Sequence, residues 1–126
     1  MKMLSAMERV FAGIRVLSMK DLEWPKKINL ETLDMNSAEN NLLVQLYGSY
    51  RSAREALQID MSTPLGQLGF RRINWVSLNP RSVRAVVQNE LEREVWKEIC
   101  ETWPRVIRQY LSTDRKEMDD ETTPVR

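Results

Sequence analysis

The sequence predicts a mainly α-helical protein: a compact bundle of four to six helices, with at most a minor short strand pair and a disordered C-terminal tail. Three observations predict this fold class. Apolar residues recur at helical spacing in three long segments, residues typical of helix starts precede two of them, and 126 residues suffice for one domain with one core. We therefore expect a single helical domain over residues 1–112 and a tail over 113–126.

The first predicted helix runs roughly from Met3 to Met19. Its apolar stripe comprises Met3, Met7, Val10, Ile14 and Leu17, with Leu4 and Phe11 beside it. Its outer face carries Glu8, Arg9 and Arg15. The segment that follows contains Pro25 and lacks a helical stripe, so we interpret it as an ordered connection that allows a short strand at Ile28 to Leu30.

The second helical segment lies within LDMNSAENNLLVQLYGSY, where a polar run meets an apolar one. Asn36 and Glu39 have the spacing of a capping box, in which each side chain accepts a hydrogen bond from the other residue's backbone N–H. The apolar stripe behind this cap comprises Leu42, Leu43, Leu46, Tyr47, Tyr50, Ala53 and Leu57. Gly48 is unfavourable inside a helix and indicates either a break or a close helix crossing.

Two further helix starts are indicated by proline. Ser62-Thr63-Pro64 predicts a short helix that ends at Gly69, and the next residues, FRRINWVSLN, allow an extended piece. Asn79-Pro80 predicts the start of the longest helix. Its stripe comprises Val83, Val87, Leu91, Val95 and Ile99, with Trp96, Cys100 and Trp103 beside it. Pro104 is expected to kink or divide this helix, because proline lacks the backbone donor.

The tail and the N-terminus complete the organisation. Residues 113–126 hold five acidic, three basic and two apolar side chains, too few apolar groups to offset the entropy of ordering. Glu8 and Arg9 interrupt any signal-peptide core, and no apolar run is long enough to span a membrane. The one cysteine, Cys100, cannot form an internal disulfide. These features favour a cytoplasmic protein.

Composition also narrows the chemistry. The chain has no histidine and one cysteine, which removes the commonest general base and nearly excludes zinc and iron–sulfur sites. There is no nucleophile elbow and no glycine-rich phosphate loop. We therefore predict no enzymatic activity, no cofactor and no metal. A net charge of +1 means that any attraction to nucleic acid must come from a local patch.

Several quoted segments resemble a group of short proteins of actinobacteria and their phages. They are ERVFAGIRVL, INLETLDMNS, LLVQLYGSY and the pattern Trp96-x6-Trp103-x3-Ile107, which together span roughly residues 7 to 110. The group typically has a Leu-x-Gln-Leu-Tyr-Gly core segment, which corresponds here to Leu43–Gly48, and a tryptophan-bearing last helix. Where members carry a Cys-x-Cys pair, this chain has Glu39 and Asn41, so no metal or redox role transfers. The resemblance implies a small phage-related accessory protein that binds and inhibits or adapts a host protein.

A basic segment is the leading candidate site. The 29 residues between Asp60 and Glu90 contain no acid. The candidate partner-binding residues are Arg71, Arg72, Trp75, Arg81 and Arg84. Arginine binds carboxylates and phosphates, and an exposed tryptophan would add an anchor. The alternative interpretation is a solvated basic face with Trp75 in the core.

Three other patterns have simpler explanations. Glu90, Glu94, Glu98 and Glu101 form an acidic stripe that is typical of a solvated helix face interleaved with bases. Cys100 is expected to be an inert packed thiol. The row Trp96, Trp103 and Tyr110 is interpreted as core, although a partner-binding face or a homodimer contact would show the same spacing.

The sequence thus favours a non-enzymatic protein-interaction module whose partner has an acidic or nucleic-acid-binding surface. The alternative is a small DNA- or RNA-binding regulator that uses the Arg71–Arg84 segment. The predicted helices at Leu42–Leu57 and Pro64–Gly69 loosely suggest a helix-turn-helix, with Gln67 as its one base-reading side chain.

Overall fold

The computed structural model describes the backbone of residues 2–121 and the side chains of residues 2–113. Five α-helices lie in this part of the chain: α1 (Ala6–Lys20), α2 (Leu42–Tyr47), α3 (Tyr50–Leu57), α4 (Trp75–Leu78) and α5 (Val83–Glu121). Two 3₁₀ turns, Trp24–Lys27 and Leu65–Leu68, lie between them. The predicted mainly α-helical class is confirmed, and residues 2–121 contain no strand, so the strand allowed at Ile28 to Leu30 is absent.

Helix α1 begins with a capping box that the sequence interpretation missed. The Glu8 amide donates to the Ser5 hydroxyl at 3.2 Å, and the Ser5 amide donates to the Glu8 carboxylate at 3.0 Å. The buried face of α1 includes Val10, Gly13 and Leu17. The predicted helix is therefore confirmed, but its two faces are only partly as predicted.

In α1, two apolar residues that were predicted to be buried are exposed, and one arginine that was predicted to be exposed is buried. Met7 and Phe11 are exposed, at 44% and 56% of their surface, and Arg9 is fully buried. Arg9 is buried because Glu92 of α5 supplies a partner that local spacing cannot reveal. Residue spacing alone therefore placed the centre of the buried face incorrectly.

Helix α2 is capped by Asn41, so the capping box predicted at Asn36 and Glu39 is wrong. The Val44 amide donates to the Asn41 side-chain oxygen at 3.1 Å, and the Asn41 side-chain amide donates to the Ser37 carbonyl at 2.7 Å. The oxygen and the amide group of the side chain are both hydrogen-bonded, so Asn41 is satisfied although it is fully buried. None of the four residues between the predicted cap and the true one is helical, and residues 38–40 form a turn.

Asn36 has a different role. Its side-chain oxygen accepts a hydrogen bond from the indole N–H of Trp96 at 2.8 Å, which ties the turn before α2 to α5. A tertiary contact therefore replaces the local cap.

Gln45 of the Leu-x-Gln-Leu-Tyr-Gly segment links α2 to the preceding connection. Its side-chain oxygen accepts from the Asn29 amide at 2.7 Å, and its side-chain nitrogen donates to the Asn29 and Asn40 carbonyls at 3.2 and 3.1 Å. Three backbone groups outside any helix are thus satisfied by one side chain. Gly48, at φ +87°, then ends α2, so the break allowed by the sequence is confirmed.

The helix-turn-helix suggested by the sequence is not present. The second element is the four-residue 3₁₀ turn Leu65–Leu68, which ends at Gly69 with φ +74°. Leu65 and Gly66 are buried, and the side-chain amide of Gln67 donates to the Lys2 carbonyl at 3.1 Å. The element is too short for a recognition helix, and its one polar side chain has its amide group bonded within the protein and its oxygen buried.

Helix α5 begins three residues after the predicted start at Asn79-Pro80. The Ala85 amide donates to the Ser82 hydroxyl at 3.2 Å, whereas Asn79 ends the short helix α4. Helix α5 continues through Pro104 as one helix, so the proline does not divide it.

The backbone of α5 continues to Glu121. Residues 122–126, and the side chains beyond Thr113, lie outside the described part of the chain. The predicted tail over 113–126 thus begins within α5, and its last five residues lie outside the described part.

Trp103 of α5 is the centre of the core. Its ring stacks on Phe70 with a centroid separation of 5.7 Å and meets Trp24 edge-on at 6.2 Å. Its indole N–H donates to the Gly69 carbonyl at 2.7 Å, so the one polar atom of the ring is satisfied. Trp96 is also buried, which confirms the core interpretation for both tryptophans of the stripe, whereas Tyr110 is partly exposed. No helix in the described part is long and apolar enough to cross a membrane.

Candidate interaction surface

Trp75 is the one predicted partner-binding residue that lies in the protein interior. It is 4% exposed and packs in a small cluster with Ile73 and Ala85. Its indole N–H donates to a Glu92 carboxylate oxygen at 3.0 Å, and its amide donates to the Asn89 side chain at 2.6 Å. The prediction that Trp75 anchors a partner is therefore wrong, because a buried carboxylate on α5 draws the indole inward.

That carboxylate belongs to a fully buried ion pair between α1 and α5. The two terminal guanidinium nitrogens of Arg9 donate to the two oxygens of Glu92, each at 2.7 Å, and both side chains are 0% exposed. The Ile73 amide donates to the same carboxylate at 2.9 Å, and the Arg9 Nε donates to the Leu4 carbonyl at 3.1 Å. Since each charge is neutralised and hydrogen-bonded, this pair is a structural link.

The protonation state of Glu92 follows from these contacts. Burial alone would raise the pKa of the carboxyl, but the hydrogen bonds from Arg9, Ile73 and Trp75 hold that pKa below its usual value. Glu92 therefore stays ionised at neutral pH, and its oxygens are occupied by donors. A carboxylate in this state is a poor general acid or base.

The four arginines of the basic segment are exposed, as the interaction hypothesis requires. They are Arg71, Arg72, Arg81 and Arg84. None of them takes part in an ion pair with another side chain among residues 2–113. Their positive charge is consequently available to a partner.

Arg71 contributes to a groove that the sequence interpretation did not identify. The groove encloses about 710 Å³, and we call it the Arg71 groove. It is lined by Tyr50, Arg51, Arg54, Glu55, Ile59, Met61, Leu65 and Arg71. The Arg71 guanidinium lies 4.8 Å from the centre of the Tyr50 ring, within the range of a cation–π contact. The groove thus combines an apolar surface with a positioned cation.

The other charges of the Arg71 groove are arranged unequally. Arg54 donates to the carbonyls of Asp60 and Thr63 at 3.1 and 3.0 Å, so its side chain is held against the chain that follows α3. Arg51 faces Glu55 at 3.6 Å, a long contact between two exposed side chains that contributes little. Three guanidinium groups and one carboxylate therefore border the groove, and the excess charge is positive.

The remaining predicted arginines do not line this groove. Arg72, Arg81 and Arg84 are absent from its walls, and Arg84 lies in the first turn of α5. The sequence interpretation treated the basic segment as one surface because its residues are close along the chain. It missed Arg51 and Arg54, whose three-residue spacing after Tyr50 on a helix could have indicated a basic face.

The acidic stripe and Cys100 differ in exposure and in chemistry. Glu94, Glu98 and Glu101 are exposed and line a shallow depression with Lys97 and Val95. Burial, with a smaller contribution from nearby Asp34, raises the pKa of the Cys100 thiol to about 11. At neutral pH this thiol is therefore protonated, and a protonated thiol is a weak nucleophile. Residues 2–113 contain no group of three or more carboxylate and thiol side chains able to hold a metal ion.

The predicted core stripe of α5 is wrong over its first half. Val83, Val87 and Leu91 are exposed, and only Ile99 at the end of the row is fully buried. The exposed side chains leave an apolar surface at the start of α5 that the sequence interpretation assigned to the core.

The sequence matches no protein-family model, no curated protein and no solved structure. The resemblance to the actinobacterial and phage group therefore stays a prediction.

Proposed function

We propose that this protein is a non-enzymatic interaction module that binds an acidic segment of a protein partner in the Arg71 groove. The observation that carries the proposal is the placement of Arg71 over the Tyr50 ring, at the edge of an apolar groove with an excess of positive charge. In agreement with the resemblance described above, such a module would act as an inhibitor or adaptor of a host protein in the cytoplasm.

The composition of the groove defines the chemistry of the segment. Ile59, Leu65 and Met61 offer apolar contacts, and Met61 is 81% exposed before a partner covers it. Methionine adapts to differently shaped side chains, which suits a peptide-binding surface. The guanidinium groups at the border favour carboxylates beside the apolar anchor. The matching ligand is a short peptide with one bulky apolar side chain flanked by Asp or Glu.

Titration of the isotope-labelled protein with an acidic peptide of this kind tests the proposal. We expect the amide resonances of Tyr50, Met61 and Arg71 to shift, and Arg71→Glu to abolish the shifts because it reverses the positioned charge. Arg105→Glu is the matched control, since Arg105 is exposed on α5 outside the groove. Equal affinity of wild type and Arg71→Glu would refute the groove as the binding site.

The same titration with a random DNA duplex separates the nucleic-acid alternative. A nucleic-acid-binding protein would bind the duplex and lose affinity steeply as salt rises, because phosphate contacts release counterions. Duplex binding in the absence of peptide binding would overturn the proposal of a protein partner.

A further inference from the structure

The start of α5 carries a second exposed surface, separate from the Arg71 groove. Val83 is 81% exposed, and Val86, Val87 and Leu91 are 54%, 55% and 54% exposed. We call these four side chains the α5 apolar face. Leu78 of α4, just before α5 in the chain, is 57% exposed as well. Single exposed apolar residues are ordinary, but four on one side of a helix indicate an interaction surface.

The α5 apolar face points directly away from the core. Ala85, Glu92 and Trp96 mark the buried side of the same helical turns. At about 100° per residue, Val83 and Val87 project to the opposite side of the helix from these residues. No other described element covers them, as their exposure shows. Three of the four residues are valine, which has a lower helix propensity than alanine or leucine. These residues therefore do not stabilise α5 as an isolated helix.

The charges along the face identify its occupant. Arg81 and Arg84 lie at its N-terminal end, and Glu90 and Glu94 lie toward its C-terminal end, all four exposed. Glu90 also faces Arg93 at 3.8 Å, a long contact between two exposed side chains that contributes little. A partner surface of one sign would meet repulsion at one end. A surface with the same apolar centre and the opposite order of charges would match at both ends. A second copy of this chain in antiparallel orientation is such a surface.

We propose that the α5 apolar face pairs with the same face of a second copy, with the two helices antiparallel and crossing near Val87. In this arrangement a residue that precedes Val87 by a given number of positions lies opposite the residue of the other copy that follows Val87 by the same number. Leu91 of one copy then packs beside Val83 of the other, and the end that bears Glu90 and Glu94 overlies the end that bears Arg81 and Arg84. The row Val83, Val87 and Leu91 forms a ridge of the kind that packs into the groove of a facing helix.

The pairing uses none of the residues that line the Arg71 groove, since none of them belongs to the α5 apolar face. The dimer would therefore present two copies of the groove. A partner with two acidic segments could bind both grooves, with an affinity above that of one. This consequence rests on the proposed function, whereas the dimer itself does not.

Sedimentation equilibrium of the full chain over micromolar to millimolar concentrations tests the pairing. We expect wild type to change from monomer to dimer, and Val87→Glu and Leu91→Glu to remain monomeric while keeping the helical circular-dichroism spectrum. Leu22→Glu is the matched control, because Leu22 is 71% exposed and lies before the first 3₁₀ turn. A wild type that stays monomeric at millimolar concentration overturns the proposal, as does a Val87→Glu variant that dimerises like wild type.

A charge exchange tests the orientation. Arg84→Glu should weaken dimerisation about tenfold, equivalent to ~1.4 kcal/mol, and Arg84→Glu combined with Glu90→Arg and Glu94→Arg should restore it. The Arg71→Glu variant should dimerise normally, which keeps this result independent of the peptide titration. Dimerisation that is unaffected by Arg84→Glu would refute the antiparallel arrangement.

Discussion

Replacing Glu92 with glutamine would leave the Arg9 guanidinium charged, buried and without a counter-ion. The Glu92 carboxylate accepts four hydrogen bonds, two from Arg9 at 2.7 Å, one from the Ile73 amide at 2.9 Å and one from the Trp75 indole at 3.0 Å. Glutamine has nearly the same shape, but it has one acceptor oxygen instead of two and no charge. The loss therefore comes from electrostatics and hydrogen bonding, with little change in packing.

Breaking a buried ion pair by removing one partner costs about 3–5 kcal/mol. A domain of this size has a total stability of roughly 5–15 kcal/mol, so Glu92→Gln is expected to remove a large fraction of it. With about 4 °C of melting temperature per kcal/mol, the expected decrease in Tm is roughly 12–20 °C. Chemical denaturation followed by circular dichroism would give the same loss as a free energy of unfolding.

Two variants make the result specific to the pair. Glu94→Gln, at an exposed position of the same helix, should change the free energy of unfolding by less than about 0.5 kcal/mol. The double variant Arg9→Met/Glu92→Met removes both charges and should recover part of the loss, because the Ile73 amide and the Trp75 indole N–H are still left without an acceptor. A Glu92→Gln protein within about 1 kcal/mol of wild type would refute the reasoning. A double variant no more stable than the single one would do the same.

The pair also gives the stability a defined pH dependence. The pKa of Glu92 is lower in the folded protein than its ordinary value of 4.5, so the folded state favours the ionised form. Its stabilising contribution is therefore present above pH 4.5 and is lost as the pH falls toward the folded-state pKa. Glu92→Gln should accordingly show a shallower loss of stability in acid than wild type, and equal slopes would contradict the assignment.

Three further predictions concern other contacts. Gly13→Ala should destabilise the protein by about 1–3 kcal/mol in urea denaturation, because the new methyl group would collide with the Leu68 carbonyl and press on Trp103. Unchanged stability would show that α1 can move away. Asn41→Ala should cost about 1–2 kcal/mol, because the cap of α2 is lost and the Ser37 carbonyl loses its donor; a neutral effect would assign the cap elsewhere. Cys100, with a pKa raised to about 11, should react with iodoacetamide at pH 8 far more slowly in the folded than in the urea-unfolded protein, and equal rates would refute its burial.

The fold class was predictable because its strongest signals are local. The helical character of α1 and the turn that ends at Gly69 both follow from residue spacing and from conformations that glycine favours. The position of Arg9 was not predictable, since its partner is 83 residues away in the sequence. A charged residue within an amphipathic helix is assigned to the surface unless that partner is known.

The exposed start of α5 has a geometric explanation. Residues four apart on an α-helix do not lie exactly above one another, because four residues turn the helix by about 400°. Each step along the row Val83, Val87, Leu91, Val95 and Ile99 therefore rotates by about 40° relative to the core. Over the four steps from Val83 to Ile99 the rotation is roughly 160°, which carries the row from the exposed side to the buried side. The four-residue repeat was real, but it could not all be core.

The candidate site was predictable only in part. The acid-free stretch indicated available arginines, and Arg71 lies at the edge of the groove. The opposite wall is contributed by α3, whose position next to Arg71 depends on how α1, α3 and the turn Leu65–Leu68 pack together. No spacing rule contains that arrangement.

The link between Arg9 and Glu92 has a consequence for how the chain matures during synthesis. The carboxylate is made 83 residues after the guanidinium that it neutralises. At about 5–20 residues per second, the ribosome needs roughly 4–17 s to supply it. During that interval the first helix cannot bury its arginine at equilibrium, and its apolar side stays accessible to chaperones. The core around Arg9 therefore cannot form until the part of α5 that contains Glu92 has been synthesised.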